Sequence, residues 1–430
     1  MLHENERLYL LQSLNKYNPW DKISLKQGLI RSDYLKALLK YQNNNLIKVL
    51  IGQRRVGKSF ILKQFIHKLI KRKSVNPENI LYVNFEFLEF QSIDSKNKLA
   101  DLIELFFAMK QVNKKQKVYF IFDEIQEVES WERLLSSILA DDTYDKEIYI
   151  TGSNSKLLSS DLATYITGRH VTLNIFPFSF DEFLSFHKEK RSKNNFLKYV
   201  LDSQLPELLN IEDKQIRTNY MMSIKDSILL KDIVARYGVS NIDLLEKIFF
   251  FLADNIGNLF SLNSLVKKLV SAGYKTNVHT LGVYVHYLEE SMLIQGVQRF
   301  DVKGKKILDG EKKYYLTDLG FRQYLFSDYD SAYGKILENY VFNYLRQRGY
   351  EVHVGKLRQY EIDFIASKGK RKIYVQVAYL LYDDDVIKRE FGNLEKIDDH
   401  WDKYVISLDD IKMSPRNGIE HLQVWDLECL

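Results

Sequence analysis

The chain has 430 residues, of which 45% are hydrophobic and 28% charged, the profile of an ordinary globular protein long enough for about three domains. Its net charge of +5 permits a nucleic-acid partner without requiring one. The single cysteine, Cys429, excludes an intramolecular disulfide and a cysteine-only metal site, and points to a reducing compartment.

Residues 1–45 hold two polar helical segments, one ending near Asn18-Pro19-Trp20 and one over 32–41. Strand-like runs then recur at 46–51, 80–87, 118–122, 148–151 and 171–175, with helical patterns at 59–72, 97–110, 131–140 and 155–165. This alternation predicts a parallel sheet with helices on both faces. From about Phe178 to Tyr237 helical patterns dominate, and the charge run KEKRSKNN at 188–195 reads as a solvated loop. Helices are expected at 244–255, 261–271 and 277–291, then a hairpin from 294–299 and 314–316 around a polar tip, a winged-helix order. Residues 333–430 change again, to a helix at 334–348, strands near 351–354, 361–366 and 372–379, and a helix at 386–396. No run nears the roughly 18 apolar residues of a membrane span, IFFFLA at 248–253 being about the longest, and the start lacks a basic-then-apolar leader. The expectation is a cytoplasmic protein with no membrane partner.

Between the first strand and its helix lies GQRRVGKS, residues 52–59, a full match to G-x-x-x-x-G-K-[ST]. A loop that wraps a phosphate chain with backbone N–H groups needs glycine at its tightest points, here Gly52 and Gly57. Lys58 reaches the β- and γ-phosphates, Ser59 ligates Mg²⁺, and the helix N-terminus faces the anion. The nucleotide-binding set is Gly52, Arg55, Val56, Gly57, Lys58, Ser59 and Phe60, for ATP with Mg²⁺. The second motif, VYFIFDE at 118–124, is an apolar strand ending in two acids. On a strand adjacent to the P-loop strand, Asp123 would join Ser59 in holding the metal, and Glu124 would activate the attacking water. If the strand ending in Gly152-Ser153-Asn154 lies between those two, Asn154, or Ser153 beside it, points at the γ-phosphate and the lytic water. Either residue would serve equally as a helix N-cap. Arg169 is a candidate for neutralising transition-state charge, in its own subunit or a neighbour's. Arg54 and Arg55 are rivals for that role, and a surface ion pair is its plain alternative.

GQRRVGKS, FIFDEIQEVESWERLL and ITGSNSKLLSSDLATYITGRHVTLNIFPFSFDEFL resemble the AAA-type ATPases of bacteria and archaea that are joined to an uncharacterised C-terminal domain. LLKDIVARYGV resembles the start of that C-terminal region. The resemblance covers nearly the whole chain and places Gly52, Gly57, Lys58, Ser59, Asp123, Glu124, Asn154 and Arg169 on the family's motif positions. It implies ATP binding and hydrolysis, and similarity to ATPases that couple nucleotide state to assembly, hence a homo-oligomer or a protein partner. The rival function is a nucleotide-switched DNA-binding regulator, or a defence-type nuclease, with slow hydrolysis.

The expected fold class is α/β: a P-loop NTPase parallel sheet over 1–177 with its helical lead-in, a helical lid or linker over 178–240, a winged-helix-like domain over 241–326, and a restriction-nuclease-like α/β domain over 333–430. Arg299, Lys303, Lys305, Lys306, Lys312 and Lys313 cluster around the expected wing and could contact DNA phosphates, although the helix before it carries Glu289 and Glu290. In the last region GKILENYVFNYLRQRGY, YEIDFIA and KIYVQVAY resemble the PD-(D/E)XK nuclease arrangement, with Glu338 and Asp363 as its acids. Where that arrangement has E-x-K, this chain has Gln376 and Ala378, so the expectation is a nuclease-like domain that cuts nothing unless Lys356, Lys370 or Lys372 substitutes.

Overall fold

The computed structural model describes residues 4–20, 27–71, 75–109, 112–154, 166, 168–326 and 333–430. The chain divides into two compact units, Met1–Ile175 and Phe176–Leu430. The first opens with α1 (Glu4–Tyr17) and α2 (Ser32–Lys40), then runs β1 (Ile47–Ile51), α3 (Lys58–Lys71), β2 (Ile80–Asn84), α4 (Lys96–Met109), β3 (Val118–Asp123), α5 (Trp131–Ala140), β4 (Lys146–Gly152) and β5 (His170–Asn174). The expected helix at 155–165 lies outside the described residues.

The five strands pair in parallel in the order β2-β3-β4-β1-β5. Every residue of β1 to β4 is buried, which is why these strands read as mainly apolar runs, with Lys48 of β1 and Glu147 of β4 buried as an ion pair: a parallel sheet has both faces covered. Because β4 intervenes, the strand of Asp123 is not adjacent to the P-loop strand as expected; it lies one strand further out. Ligands of such sheets bind beyond the carboxyl ends of the strands, so the loops after β1, β3 and β4 frame the candidate site.

The lead-in does more than precede the sheet. Asn18 pairs with the backbone of Tyr82 in both directions, accepting from its N at 2.7 Å and donating to its O at 3.0 Å, and the Trp20 indole donates to Ile80 O at 2.8 Å. Residues 18–20 thereby occupy the open edge of β2. Arg31, also buried, donates to the Val56 carbonyl at 2.9 Å and so braces the P-loop from the N-cap position of α2.

The second unit begins with α6 (Phe180–His187), α7 (Lys193–Val200) and α8 (Lys214–Ser227), the last continuing into a π-helical segment at Ile228–Ala235. Part of the charge run expected to be a loop is helical: the Ser192 side chain caps α7 by accepting from Asn195 N, and Arg191 bonds Asp181 and the Trp425 carbonyl. Three helices follow, α9 (Ile242–Asp254), α10 (Leu262–Ser271) and α11 (Val278–Glu290), capped by Asn241, Ser261 and Asn277. Then come β6 (Ile294–Asp301), β7 (Lys306–Leu316), α12 (Gly320–Leu325), α13 (Tyr333–Gln347), β8 (Glu351–Leu357), β9 (Tyr360–Lys368), β10 (Arg371–Val377), α14 (Asp384–Glu395), β11 (Asp402–Ser407) and β12 (Ile419–Gln423).

The β6–β7 hairpin is longer than its sequence pattern suggests, and it belongs to the same sheet as the C-terminal strands. The order is β12-β11-β10-β9-β8-β6-β7, with Arg299–Asp301 of β6 parallel to 354–356 of β8. Under α14 lies a core of Ile362, Ile365, Tyr374, Phe391, Leu394 and Val405.

Candidate functional site

The loop after β1 is built around two glycines for different reasons. A Cβ at Gly52 would collide with the Ile175 carbonyl oxygen and press on Val56, so no side chain fits there. Gly57 has φ +94°, a left-handed conformation that L side chains rarely adopt. Arg55, at φ +68°, takes a left-handed position without being glycine. Val56 is fully buried, and Phe60, in the first turn of α3, is partly exposed.

Lys58, the first residue of α3, is buried and its ammonium donates to Gly52 O at 2.9 Å and Gln53 O at 3.3 Å, while lying 3.3 Å from Glu124 Oε1. The neighbouring Ser59 hydrogen-bonds the Asp123 carboxylate. Asp123 is fully buried; Thr151 Oγ1 donates to its Oδ1 at 2.5 Å, and Tyr82 OH and Asn84 Nδ2 donate to its Oδ2 at 2.9 Å each. Burial, and then the charge of Glu124, raise its carboxyl above the ordinary range. A carboxylate in contact with a serine hydroxyl fits Mg²⁺, which takes a few protein oxygens and fills its remaining positions with phosphate and water.

Glu124 sits at φ 55°, ψ 50°, a left-handed conformation costing on the order of 1 kcal/mol or more for such a residue. It is held there by its N–H donating to Thr151 Oγ1 at 2.9 Å and by Gln126 Nε2 donating to its carboxylate at 2.6 Å. Thr151, at the end of β4, thus bonds both acids of β3. Six sequence-selected residues, Gly52, Gly57, Lys58, Ser59, Asp123 and Glu124, are brought together at the carboxyl ends of β1 and β3.

Asn154 and Ser153 are buried just past the end of β4, which does lie between β3 and β1. Among the described residues the Ser153 hydroxyl has no hydrogen-bond partner, nor does the amide of Gln53, which is wholly buried in the loop after β1. Buried polar groups left unpaired are costly, and these two follow the ends of adjacent strands, β1 and β4, at the site. Gln53 escaped sequence reading because its motif position accepts any residue.

Arg169 is not brought to this cluster. Its carbonyl accepts from Ile47 N at 3.0 Å, and Ile47 pairs with His170, so it stands at the amino end of β1 while the P-loop leaves the carboxyl end. The five residues of β1 separate the two by about 17 Å, beyond the reach of an arginine in the same subunit. Arg54, the rival, donates to Glu86 at 2.9 Å.

A second cluster lies in the other unit. Glu338 on α13 and Asp363 on β9 do converge, and between them sits Lys313 of β7, buried, its ammonium 2.9 Å from Glu338 Oε1, 2.7 Å from Glu361 Oε1 and 4.0 Å from Asp363 Oδ1. Tyr315 OH also donates to Glu338 at 2.6 Å. Burial alone would lower the Lys313 pKa, but Glu338, Asp363 and Glu361 outweigh it and hold the ammonium charged. Asp363 is raised well above its ordinary value by burial and by Glu338; Val377 N donates to it at 2.8 Å, and its own N–H donates to Gln376 Oε1 at 3.2 Å. The ammonium comes from Lys313 and not from the three lysines considered: Lys372 turns to Tyr374 OH at 3.3 Å, Lys370 lies in the β9–β10 turn, and Lys356 lies within β8. The hairpin's basic cluster is correspondingly smaller than expected, since Lys313 faces inward and Arg299 pairs with Glu311 at 3.0 Å.

Among the described residues no helix is long and apolar enough to cross a membrane. Residues 44–184 match an AAA domain, and residues 193–331 match a domain of unknown function, DUF8612. An uncharacterised protein of Haemophilus influenzae is 35% identical over 407 residues, covering 93% of this chain and 98% of that protein. An uncharacterised protein of Methanocaldococcus jannaschii is 31% identical over 367 residues, covering 82% and 78%. Among solved structures, the Aeropyrum pernix Orc1 protein in complex with DNA aligns with a TM-score of 0.34 and 13% identity, over 74% of this chain and 95% of that one. The chain belongs to the family of these Haemophilus and Methanocaldococcus proteins, and its residues 44–184 are an AAA-type P-loop ATPase domain.

Proposed function

We propose that the chain is a Mg²⁺-dependent ATP hydrolase whose nucleotide state acts on its C-terminal region or on a bound protein partner. The observation that carries this reading is the convergence at the ends of β1 and β3, where Lys58 touches Gly52, Gln53 and Glu124 while Ser59 touches Asp123. In this reading Gly52, Arg55, Val56, Gly57 and Phe60 shape the loop and helix start that receive the phosphate chain. Lys58 exchanges its backbone partners for the β- and γ-phosphates. Ser59 and Asp123 hold Mg²⁺, which when bound neutralises phosphate charge. Glu124 accepts the proton of a water attacking the γ-phosphorus as the bond to the ADP oxygen breaks. Asn154, with Ser153 beside it, orients that water from the end of β4. Arg169 contributes only by reaching a neighbouring copy, which makes the active form an oligomer. Steady-state turnover with and without Mg²⁺ tests the proposal: Lys58→Ala should abolish it, and undiminished turnover in that variant would overturn the reading.

A second reading, a nucleotide-switched DNA-binding regulator, is favoured by the Lys58–Glu124 contact, which occupies the base until the lysine moves. Intact ATP binding with turnover on the order of 10⁻³ s⁻¹ or slower would select it. In either reading residues 178–240 serve as a helical lid or linker, 241–326 as a winged-helix-like domain, and 333–430 as a nuclease-like domain that cuts nothing. The last is supported by Gln376 and Ala378 standing where the chemistry needs an acid and a lysine, and by Lys313 already saturating the carboxylates. Incubation with DNA and RNA in Mg²⁺ or Mn²⁺ should leave them intact; cleavage abolished by Asp363→Ala would overturn it.

A further inference from the structure

A cavity of about 920 Å³ opens in the second unit between the β6–β7 turn, the β8–β9 turn and the segment after α14. Lys303, Lys305, Arg358, Lys372 and Lys396 line it, and among the described residues none of these five cations is in an ion pair. Two acids also line it, Asp398 and Asp399, the latter accepting from Tyr374 OH at 2.6 Å and from Trp401 N at 3.2 Å, so five cations against two carboxylates leave the walls with a net positive charge. Gathering unpaired cations around a concavity is electrostatically unfavourable until a polyanion occupies it.

The same walls carry Tyr360 and Trp401. The Lys396 ammonium stands 4.1 Å from the Tyr360 ring centre, and that of Lys372 stands 5.9 Å from Trp401. His400, with its ring centre 4.7 Å from that of Trp401, completes an aromatic wall. Cations interleaved with rings suit a ligand that carries both phosphates and flat apolar faces.

We propose that this cavity binds single-stranded nucleic acid, its phosphates on the five cations and a base stacked against Trp401 or Tyr360. A duplex keeps its base faces stacked inside, so it could use the cations but not the rings; inorganic polyphosphate has no faces to offer. The proposal goes beyond the ATPase reading and does not depend on it, because every residue invoked lies in the second unit.

The test is fluorescence anisotropy of the full chain with a labelled single strand of about twelve nucleotides, over a salt series, with a hairpin duplex and inorganic polyphosphate as competitors. Wild type should prefer the single strand, with affinity falling steeply as salt rises. The exposed-residue variant Lys303→Ala/Lys305→Ala/Lys396→Ala should flatten the salt slope by about two. Trp401→Ala should weaken the single strand about tenfold and leave polyphosphate unchanged, with Trp401→Phe retaining most of the binding. Since Trp401 also packs beside the core, Tyr360→Ala supplies an independent ring test. Equal binding by the triple-cation variant, or a duplex or polyphosphate bound as tightly as the single strand, would overturn the proposal.

Discussion

The Lys58 ammonium lies 3.3 Å from the Glu124 carboxylate, joining the P-loop to the acid at the end of β3. If that carboxylate is the base, Glu124→Gln should still bind ATP while turnover falls on the order of a hundredfold or more. Paired binding and turnover measurements decide it; wild-type-like turnover would remove Glu124 from the mechanism.

Arg169 sits at the wrong end of β1 to serve its own nucleotide. Hydrolysis should therefore rise with protein concentration, and mixing Arg169→Ala with Lys58→Ala subunits should restore activity that neither shows alone. A concentration-independent rate with no rescue would leave Arg169 without a part in hydrolysis.

Lys313 is the sole cation among the residues it touches in the second cluster. Lys313→Met would strand three carboxylates around a buried position and should destabilise the chain by about 3–5 kcal/mol, read by denaturant unfolding. Adding Glu338→Gln should recover part of the loss; no recovery would mean that packing, and not charge, holds this lysine.

Asp318 gives a pH dependence whose sign is fixed. It is fully buried and accepts from Gly320 N at 2.7 Å and Gln204 N at 2.9 Å, yet burial raises its carboxyl from 3.8 to about 7. The folded chain thus holds the proton more tightly than the unfolded one. Its contribution is complete below pH 3.8 and is lost as pH rises through 7, a swing of roughly 4 kcal/mol at most. Melting temperatures of wild type relative to Asp318→Asn should fall across that window; parallel curves would count against it.

The amino-terminal sheet was legible because β1 to β4 are buried on both faces and its site follows a spaced motif. Sequence could not place Arg169, since a residue next to a strand does not say which end of the sheet it occupies until the register of β1 with β5 is known. Lys312 and Lys313 look alike in the chain. Strand alternation turns one outward and buries the other against Glu338, and nothing local distinguishes them. The strands β11 and β12 escaped because each is short and flanked by polar segments, and their pairing is parallel, β11 with β10 and β12 with β11, so no tight hairpin turn marks either one.

The pairing of Asn18 and Trp20 with β2 bears on how this chain may be dissected. A fragment begun at the amino boundary of the AAA match, residue 44, would keep every P-loop residue yet lose both edge partners and the Arg31 brace. Its sheet would present an uncapped apolar strand, a template for another chain to add to. The lead-in is thus part of the fold's protection against self-association.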